Sequence, residues 1–101
     1  MGKRIELQKL LCEILGSKNV YFQPPESIKM KYPAIVYYRN SIDNTNANNN
    51  VYRQNTAYTI TVIDSNPESE IVEKISRLPM CRFDRQYASD NLYHDVFTLY
   101  F

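Results

Sequence analysis

Hydrophobic and polar positions alternate most regularly in residues 51–64, VYRQNTAYTITVID. In the second half of this stretch Tyr58, Ile60 and Val62 point to one side, and the residues between them point to the other. A side-chain period of two, built from β-branched and aromatic residues, predicts a strand with one face on a core. Because strong helix-start signals follow it directly, we predict that 51–64 is the central strand of the fold.

Two segments predict amphipathic helices. Residues 4–15 place their leucines on one stripe at helical spacing, and Gly16 stands where a C-cap glycine is expected. The second helix follows the central strand, and its start has two solutions. Either Asn66 is the N-cap with a proline next to it, or Ser65 and Glu68 form a capping box. Its apolar side consists of Ile71, Val72, Ile75 and Leu78, and Pro79 ends it.

Two further strands precede the central one. Residues 20–22 form a short extended piece, and 34–39 form a strand that is apolar on both faces, so we expect both faces to be covered. Residues 40–50, NSIDNTNANNN, contain six asparagines and predict a loop with strand-like ends that joins this strand to the central strand as a long hairpin. Two interpretations stay open for this loop: a disordered hairpin tip, or a projecting arm that orders only against a partner.

The last quarter of the chain predicts another hairpin. Residues 81–87 alternate without interruption, which places Phe83 and Arg85 on the same face. Residues 88–91 form the turn, and 92–101 return as a long terminal strand.

This order of elements predicts an α+β fold. We expect a mainly antiparallel sheet of four to five strands packed on two helices, with a long β-hairpin arm, in a single domain spanning residues 1–101. Two helices of this length can cover only one face of such a sheet. The other face carries Tyr38, Thr59, Thr61, Val96 and Tyr100. Because this set is too mixed for a purely solvated surface, it favours burial of the face or of a sheet edge in an oligomer.

Composition narrows the functional classes. The net charge is +1, and lysines and arginines are scattered along the sequence without the basic stripe of a nucleic-acid binder. The longest apolar run, residues 34–38, is too short to span a bilayer, so we expect no membrane association. Nine tyrosines suit either ordinary strands or surfaces that a partner buries.

Candidate chemistry is sparse. With two glycines, the chain has no phosphate-binding glycine pattern. Cys12, Cys81 and His94 are too few and too dispersed for a zinc site, and buried free thiols are favoured over a disulfide. A Cys–His nucleophile assembled in space is the one enzymatic arrangement left open. We expect cross-strand ion pairs among the charged residues of the terminal hairpin. We predict no catalytic residue, no metal and no cofactor.

Two stretches carry a resemblance to a known family. YRQNTAYTITVIDSNPESEIVEKI (52–75) and LPMCRFDRQYASDNLYHDVFTLYF (78–101), together with the preceding YPAIVYYRNSIDNTNANN, resemble small proteins encoded in the structural gene clusters of tailed phages and prophages. The resemblance covers nearly all of the chain after residue 31. The family is similar to the tail-completion or tail-terminator group, α+β proteins without a catalytic motif.

The resemblance implies a virion protein, assembled in the bacterial cytoplasm, that forms a hexameric ring at the head-proximal end of the tail tube. Such a ring ends tube growth, contacts the tail tube protein and the head-closure or connector protein, and lets DNA pass through its lumen. A head-closure or neck adaptor is the alternative role, and a small regulatory protein outside the virion is a third. The residues that we predict to contact subunits or partners are Tyr37, Tyr38, Arg39, Asn46, Asn48, Asn49, Arg53, Tyr100 and Phe101.

Overall fold

The computed structural model describes residues 3–25, 29–47 and 50–101, and the side chains within these ranges except for residue 3 and residues 41–55. The elements follow the predicted order of helix, three strands, helix and two strands. They are α1 (Lys3–Leu15), β1 (Val20–Phe22), β2 (Ala34–Ala47), β3 (Asn50–Asp64), α2 (Glu70–Ser76), β4 (Cys81–Ser89) and β5 (Leu92–Tyr100).

The five strands form one sheet in the order β1-β2-β3-β5-β4. β1 runs parallel to β2, and every other neighbouring pair is antiparallel. The predicted α+β class and mainly antiparallel sheet are therefore confirmed. β3 lies in the middle of the sheet, between β2 and β5, as its alternating pattern predicted.

The core lies between the sheet and the two helices. Tyr58, Ile60 and Val62 of β3 are buried there, which confirms the face predicted for them. Leu7 of α1 and Ile75 of α2 are fully buried against this face. Each such side chain contributes about 1.5–3 kcal/mol to folding when it leaves water. Both helices therefore pack on one side of the sheet, which we call the helix face.

The end of α1 is as predicted, but the start of α2 is not. Gly16 has a positive φ of 81°, and its N–H donates to the carbonyl oxygen of Cys12 at 2.8 Å, so it is the C-cap glycine. The N-cap of α2 is Ser69, whose hydroxyl accepts the N–H of Ile71 at 3.2 Å. Both predicted caps are wrong because Asn66 closes a turn of its own, accepting a backbone N–H two residues later at 3.0 Å.

β2 and β3 are longer than the pattern predicted. The expected loop of residues 40–50 is strand up to Ala47 and again from Asn50, and residues 48 and 49 lie outside the described part of the chain. Asn-rich sequence has low strand propensity, yet pairing with β3 from Ala34 to Ala47 satisfies the backbone groups of the segment that face β3. The strands of the predicted hairpin are therefore present, and the loop predicted between them is wrong for residues 40–47.

The two strands extend past the rest of the sheet. β5 pairs with β3 only as far as Ala57, and β1 pairs with β2 only as far as Tyr37. Among the described residues, 43–47 and 50–55 therefore pair only with each other, and we call them the β2–β3 ribbon. The molecule measures 51 × 24 × 22 Å along its principal axes.

The terminal hairpin contains a bulge that the sequence pattern did not reveal. Phe83 lies opposite Phe97 and Arg85 lies opposite Val96, so Asp84 is an extra residue in β4. Phe83 therefore faces the helix side, whereas Arg85 faces the other side, and the predicted uninterrupted alternation is wrong. The turn lies where it was expected, and Asp90 and Asn91 have the positive φ angles of a tight hairpin, 53° and 64°.

The other side of the sheet, which we call the second face, is partly covered by the chain itself. Val36, Ile63 and Val96 on this face are buried, and Thr59 and Thr61 are half-buried. Met30, from the segment before β2, lines a groove of about 190 Å³ over it. The expectation that neither helix reaches this face holds. Part of its apolar area is nevertheless buried within the subunit, and less remains for a partner than the sequence suggested.

Candidate interaction surface

The predicted contact residues differ in burial, and Tyr37 is fully buried. It has no exposed surface, and its hydroxyl donates to Oε1 of Gln8. Burial raises the pKa of the Tyr37 phenol, an effect that the nearby Arg4 guanidinium opposes. A side chain without exposed surface cannot reach a neighbouring subunit while this fold is kept. We therefore remove Tyr37 from the predicted contact set.

Tyr38 and Tyr100 lie on the second face, on opposite sides of β3. Tyr38 is opposite Thr59, and Tyr100 is opposite Ala57, two residues away along the same strand. Their exposed fractions are 43% and 39%, which is high for large aromatic residues. A tyrosine presents apolar area with a polar tip and few rotatable bonds, so exposed tyrosines suit a surface that a protein partner covers.

Tyr87 and His94 form a stacked pair on the second face, near the end of β3 that is far from Tyr38 and Tyr100. The rings of Tyr87 and His94 lie 4.7 Å apart with an angle of 11° between their planes, and the guanidinium carbon of Arg85 is 5.8 Å from the Tyr87 ring. The alternation of residues 81–87 predicted Tyr87 on the face of Phe83 instead, because the Asp84 bulge leaves no mark in the pattern of apolar positions. Only its 43% exposure on the second face identifies it as a contact candidate.

Arg39 belongs to a second cluster, on the helix face at the β1 side of the sheet. Its guanidinium carbon is 5.9 Å from the Phe22 ring centroid, and that of Arg4 is 4.6 Å from the same centroid. The backbone N–H of Arg39 donates to Oε1 of Gln23 at 3.2 Å. One aromatic ring thus lies beside two guanidinium groups, and that of Arg4 also donates to the Tyr37 hydroxyl at 3.4 Å. Arg4 and Phe22 were not predicted, since nothing in a sequence indicates that residues so far apart meet.

Phe101 lies at the edge of an apolar groove. It is half-buried against the core, and its N–H donates to the carbonyl oxygen of Thr56 at 3.0 Å. The groove has a volume of about 250 Å³ and is lined by Leu10, Leu78, Pro79, Met80, Leu99, Tyr100 and Phe101. Met80 is 69% exposed at its rim. The predicted contact of Phe101 therefore stays a prediction, and an apolar groove lies next to this residue.

The remaining predicted contacts lie in or next to the β2–β3 ribbon. The backbone of Asn46 pairs with Val51 and that of Arg53 pairs with Thr45. Their side chains, and the whole of Asn48 and Asn49, lie outside the described residues. The structure thus places two of these residues on an extended ribbon and leaves the contacts of all four as predictions.

The two cysteines and the histidine do not come together. Cys12 lies on α1 and Cys81 lies opposite Leu99, both on the helix side, whereas His94 lies on the second face. Both thiols are free, and burial, with Asp84 nearby, raises the pKa of the Cys81 thiol. The arrangement left open by the sequence, a Cys–His nucleophile, is therefore not formed.

The charged residues of the terminal hairpin only partly follow the expected pattern. Arg82 and Asp84 form an exposed ion pair at 3.6 Å along one strand. Asp95 is buried and accepts the side-chain N–H of Gln86 at 2.9 Å, so the expectation of a solvated cross-strand ion pair is wrong for this residue. In the described ranges, no group of three or more His, Cys, Asp and Glu side chains could hold a metal ion. No helix in the same ranges is long and apolar enough to cross a membrane.

No family model matches the chain, and comparisons with curated proteins and with solved structures find no match. Four features of the described surface suit a partner. They are the exposed tyrosines on the second face, the arginine cluster, the apolar groove and the extended two-stranded ribbon.

Proposed function

We propose that this chain is a tail-terminator-like subunit of a tailed-phage particle. Copies of it form a ring at the head-proximal end of the tail tube, end the growth of the tube and join the tail to the head connector. Its partners are further copies of itself, the tail tube protein and a head-closure or connector protein. The sequence resemblance motivates this role.

The observation that carries the proposal is the β2–β3 ribbon. A two-stranded ribbon without a third strand or a helix is only marginally stable in water. In the part of the chain that the structure describes, residues 43–47 and 50–55 have neither. Such an element gains stability when it packs against another subunit, which is what a ring component requires.

The exposed aromatic residues support the same proposal. Tyr38, Tyr87 and Tyr100 lie on one face of one sheet with exposed fractions of 43%, 43% and 39%. Tyrosine is enriched where protein interfaces bury surface. A ring subunit has contacts on both flanks and on the tube and connector sides, so several exposed surfaces of this kind are expected.

Electron microscopy of the purified chain and of particles made without it tests the role. We expect rings from the purified protein, and tails of non-uniform length that stay separate from heads when the gene is removed. Joined tails of uniform length in the absence of the chain would contradict the proposal. Crosslinking to the connector without any crosslink to the tail tube protein would favour the neck adaptor instead.

A shortened ribbon tests the element that carries the proposal. Replacing residues 43–55 by a two-residue Asn-Gly turn keeps the strands that β1 and β5 flank. We expect this variant to retain cooperative thermal unfolding and to lose ring formation. A matched control replaces Asn91 by glycine in the turn between β4 and β5, which keeps the turn conformation, and should still form rings. Rings from the shortened variant would show that the ribbon is not needed for assembly.

A further inference from the structure

The second face carries more basic than acidic side chains. Arg82 lies opposite Thr98 and Arg85 lies opposite Val96, so both arginines of β4 are on this face. Of the acids whose side chains the structure describes, only Asp84 lies there. Its carboxylate contacts Arg82 at 3.6 Å and accepts the Thr98 hydroxyl at 2.8 Å. The other described acids lie on the helices, in turns or on the helix face.

Two lysines add to the positive charge of this face. Met30 lines the groove over the second face together with Tyr87 and His94, so the segment before β2 crosses the sheet there. Lys29 and Lys31 stand on either side of Met30 and are exposed. Among the described residues, neither lysine forms an ion pair. The fold thus brings together four cations that lie in two distant parts of the sequence.

Tyr38 and Tyr100 present open aromatic rings on the same face. Their exposed fractions are 43% and 39%, and among the described residues neither ring stacks on another ring or lies under a guanidinium group. Tyr87 differs, because its ring stacks on His94 and lies under the guanidinium of Arg85. This contact of Tyr87 favours a position of the Arg85 side chain over the sheet.

The register places rings and cations on either side of a low strip of threonines. Tyr38 lies opposite Thr59, which lies opposite Thr98. Thr98 in turn lies opposite Arg82. Since neighbouring strands are about 4.8 Å apart, the backbones at the two ends of this row are about 14 Å apart. Tyr100 lies two residues further along β5, towards the β2–β3 ribbon. We call this part of the second face the threonine trough.

We infer that the threonine trough binds a single strand of nucleic acid whose bases are unpaired. Bases stack on the rings of Tyr38 and Tyr100, and phosphates bind Arg82 and Arg85. Every base has a π-face for stacking, and the guanidinium group matches the geometry of a phosphate, so the contact requires no particular sequence. The inference goes beyond the proposed ring and stands without it, because one copy of the chain presents the whole trough.

A protein partner fits the trough less well. The apolar residues Val36, Ile63 and Val96 beneath it are only 3–6% exposed, so the two rings stand over hydroxyl groups rather than within a continuous apolar patch. The centre of a protein interface is apolar and depleted of charged residues. A nucleic-acid strand needs open rings and nearby cations, and the trough provides both. The β2–β3 ribbon and the apolar groove stay available for protein partners.

Fluorescence anisotropy of the purified chain with labelled oligonucleotides of about twelve nucleotides tests the inference. We expect oligothymidine and oligouridine to bind, and their binding to weaken as salt rises from about 0.05 M to about 0.2 M. A DNA duplex of the same length should bind at least about tenfold more weakly, because its bases are already stacked on each other and cannot reach the tyrosines. The single strand that binds more tightly identifies DNA or RNA as the preferred ligand.

Two double variants separate stacking from charge. Y38L/Y100L should weaken the binding of single strands at least about tenfold and keep its salt dependence, because only ring contacts are lost. Y38F/Y100F keeps both rings and should bind like the wild type. R82Q/R85Q should also weaken binding, and it should reduce the salt dependence because about two phosphate contacts are lost.

The control variant is K9Q/K74Q, which removes the same charge as R82Q/R85Q. Lys9 and Lys74 are exposed on α1 and α2, which cover the helix face, so this variant should change the affinity less than about twofold. Cooperative thermal unfolding of every variant checks that the fold is kept.

Single strands that do not bind the wild type, or a duplex that binds as tightly, would overturn the inference. Unchanged binding in Y38L/Y100L would overturn it as well. Loss of ring formation in Y38L/Y100L, with no binding of any oligonucleotide to the wild type, would assign the trough to a protein partner instead. In each of these cases, rings formed by the wild type would leave the proposed function intact.

Discussion

The rings of Tyr87 and His94 stack across the β4–β5 pair, with their centroids 4.7 Å apart and their planes 11° from parallel. The two residues pair directly, and the Asp84 bulge brings Tyr87 to the face on which His94 lies. In the described part of the structure, Nδ1 of His94 has no hydrogen-bond partner. The stack with Tyr87 therefore positions this ring without a hydrogen bond at Nδ1.

We expect Tyr87→Leu to lower the free energy of unfolding by about 0.5–1.5 kcal/mol, because leucine keeps apolar area and loses the stacked geometry. Urea unfolding measures the effect. The control is Tyr32→Leu, at a residue that is 47% exposed with no stacked aromatic partner in the described ranges, and it should change stability by less than about 0.5 kcal/mol. Equal losses in the two variants would show that the stack contributes nothing.

The N-cap of α2 can be tested in the same way. Ser69→Ala removes the acceptor of the Ile71 N–H and should lower stability by about 1 kcal/mol. Ser65→Ala removes a hydroxyl from an exposed position before the helix and should have an effect below about 0.5 kcal/mol. A larger loss at Ser65 than at Ser69 would place the cap at the capping box that the sequence suggested.

Tyr37 couples stability to pH. Its buried phenol has a raised pKa, so the folded state holds the proton more tightly than the unfolded state. The stability that the neutral Tyr37 phenol contributes is fully present below its unfolded pKa of about 10. It is lost as the pH rises through the pKa of the folded state. Tyr37→Phe also removes the hydroxyl that binds Gln8, which should cost about 1 kcal/mol at neutral pH.

Denaturant unfolding between about pH 8 and pH 11 compares Tyr37→Phe with the wild type over this window. We expect the difference in stability between the two proteins to shrink as the pH rises past 10, since only the wild type has a phenol to ionise at this position. Tyr32→Phe, at an exposed site, should follow the wild-type curve. A constant difference across the window would refute the linkage.

Gly16 tests the end of α1 through its backbone. Its φ of 81° lies in the left-handed region, and an added Cβ would meet no described atom within 4 Å. Gly16→Ala should therefore cost about 1 kcal/mol from backbone conformation alone, without a steric clash. Gly16→Asn should cost less, because asparagine adopts this conformation more readily. Thermal unfolding of the two variants distinguishes this explanation from a packing defect, which would penalise the larger side chain more.

The elements that the sequence predicted well are those in which local pattern and tertiary packing agree. The alternation through Tyr58, Ile60 and Val62 places β3 correctly because the same face is buried along the strand. The stripe of α1 and the glycine that ends it are similarly local. These signals depend on residues close together in the chain, so the pattern of a few neighbouring residues is enough to predict the element.

The features that the sequence did not predict depend on pairing at a distance. Strand structure in residues 40–47 follows from pairing with β3, which overrides the low strand propensity of asparagine. The Asp84 bulge depends on the register with β5, and it reverses the faces expected for Arg85 and Tyr87. Local composition does not record either relationship.

The candidate surface was predicted less completely than the fold. Tyr38 and Tyr100 are exposed as expected, but Tyr37 is buried, because a strand that is apolar on both sides does not show which side the helices will cover. Arg39 was predicted, but its neighbours Arg4 and Phe22 were not, because only the fold brings these residues together.

The bulge at Asp84 has a consequence for how the sheet can grow. In the described structure β4 pairs only with β5, so its outer edge is free for a strand of another chain. The extra residue interrupts the regular spacing of N–H and C=O groups there, and Asp84 is held in place by the Thr98 hydroxyl, which donates to it at 2.8 Å. An edge of this kind is a poor template for fibrils or runaway stacking of sheets. Copies of the chain are therefore less prone to pair with one another along β4.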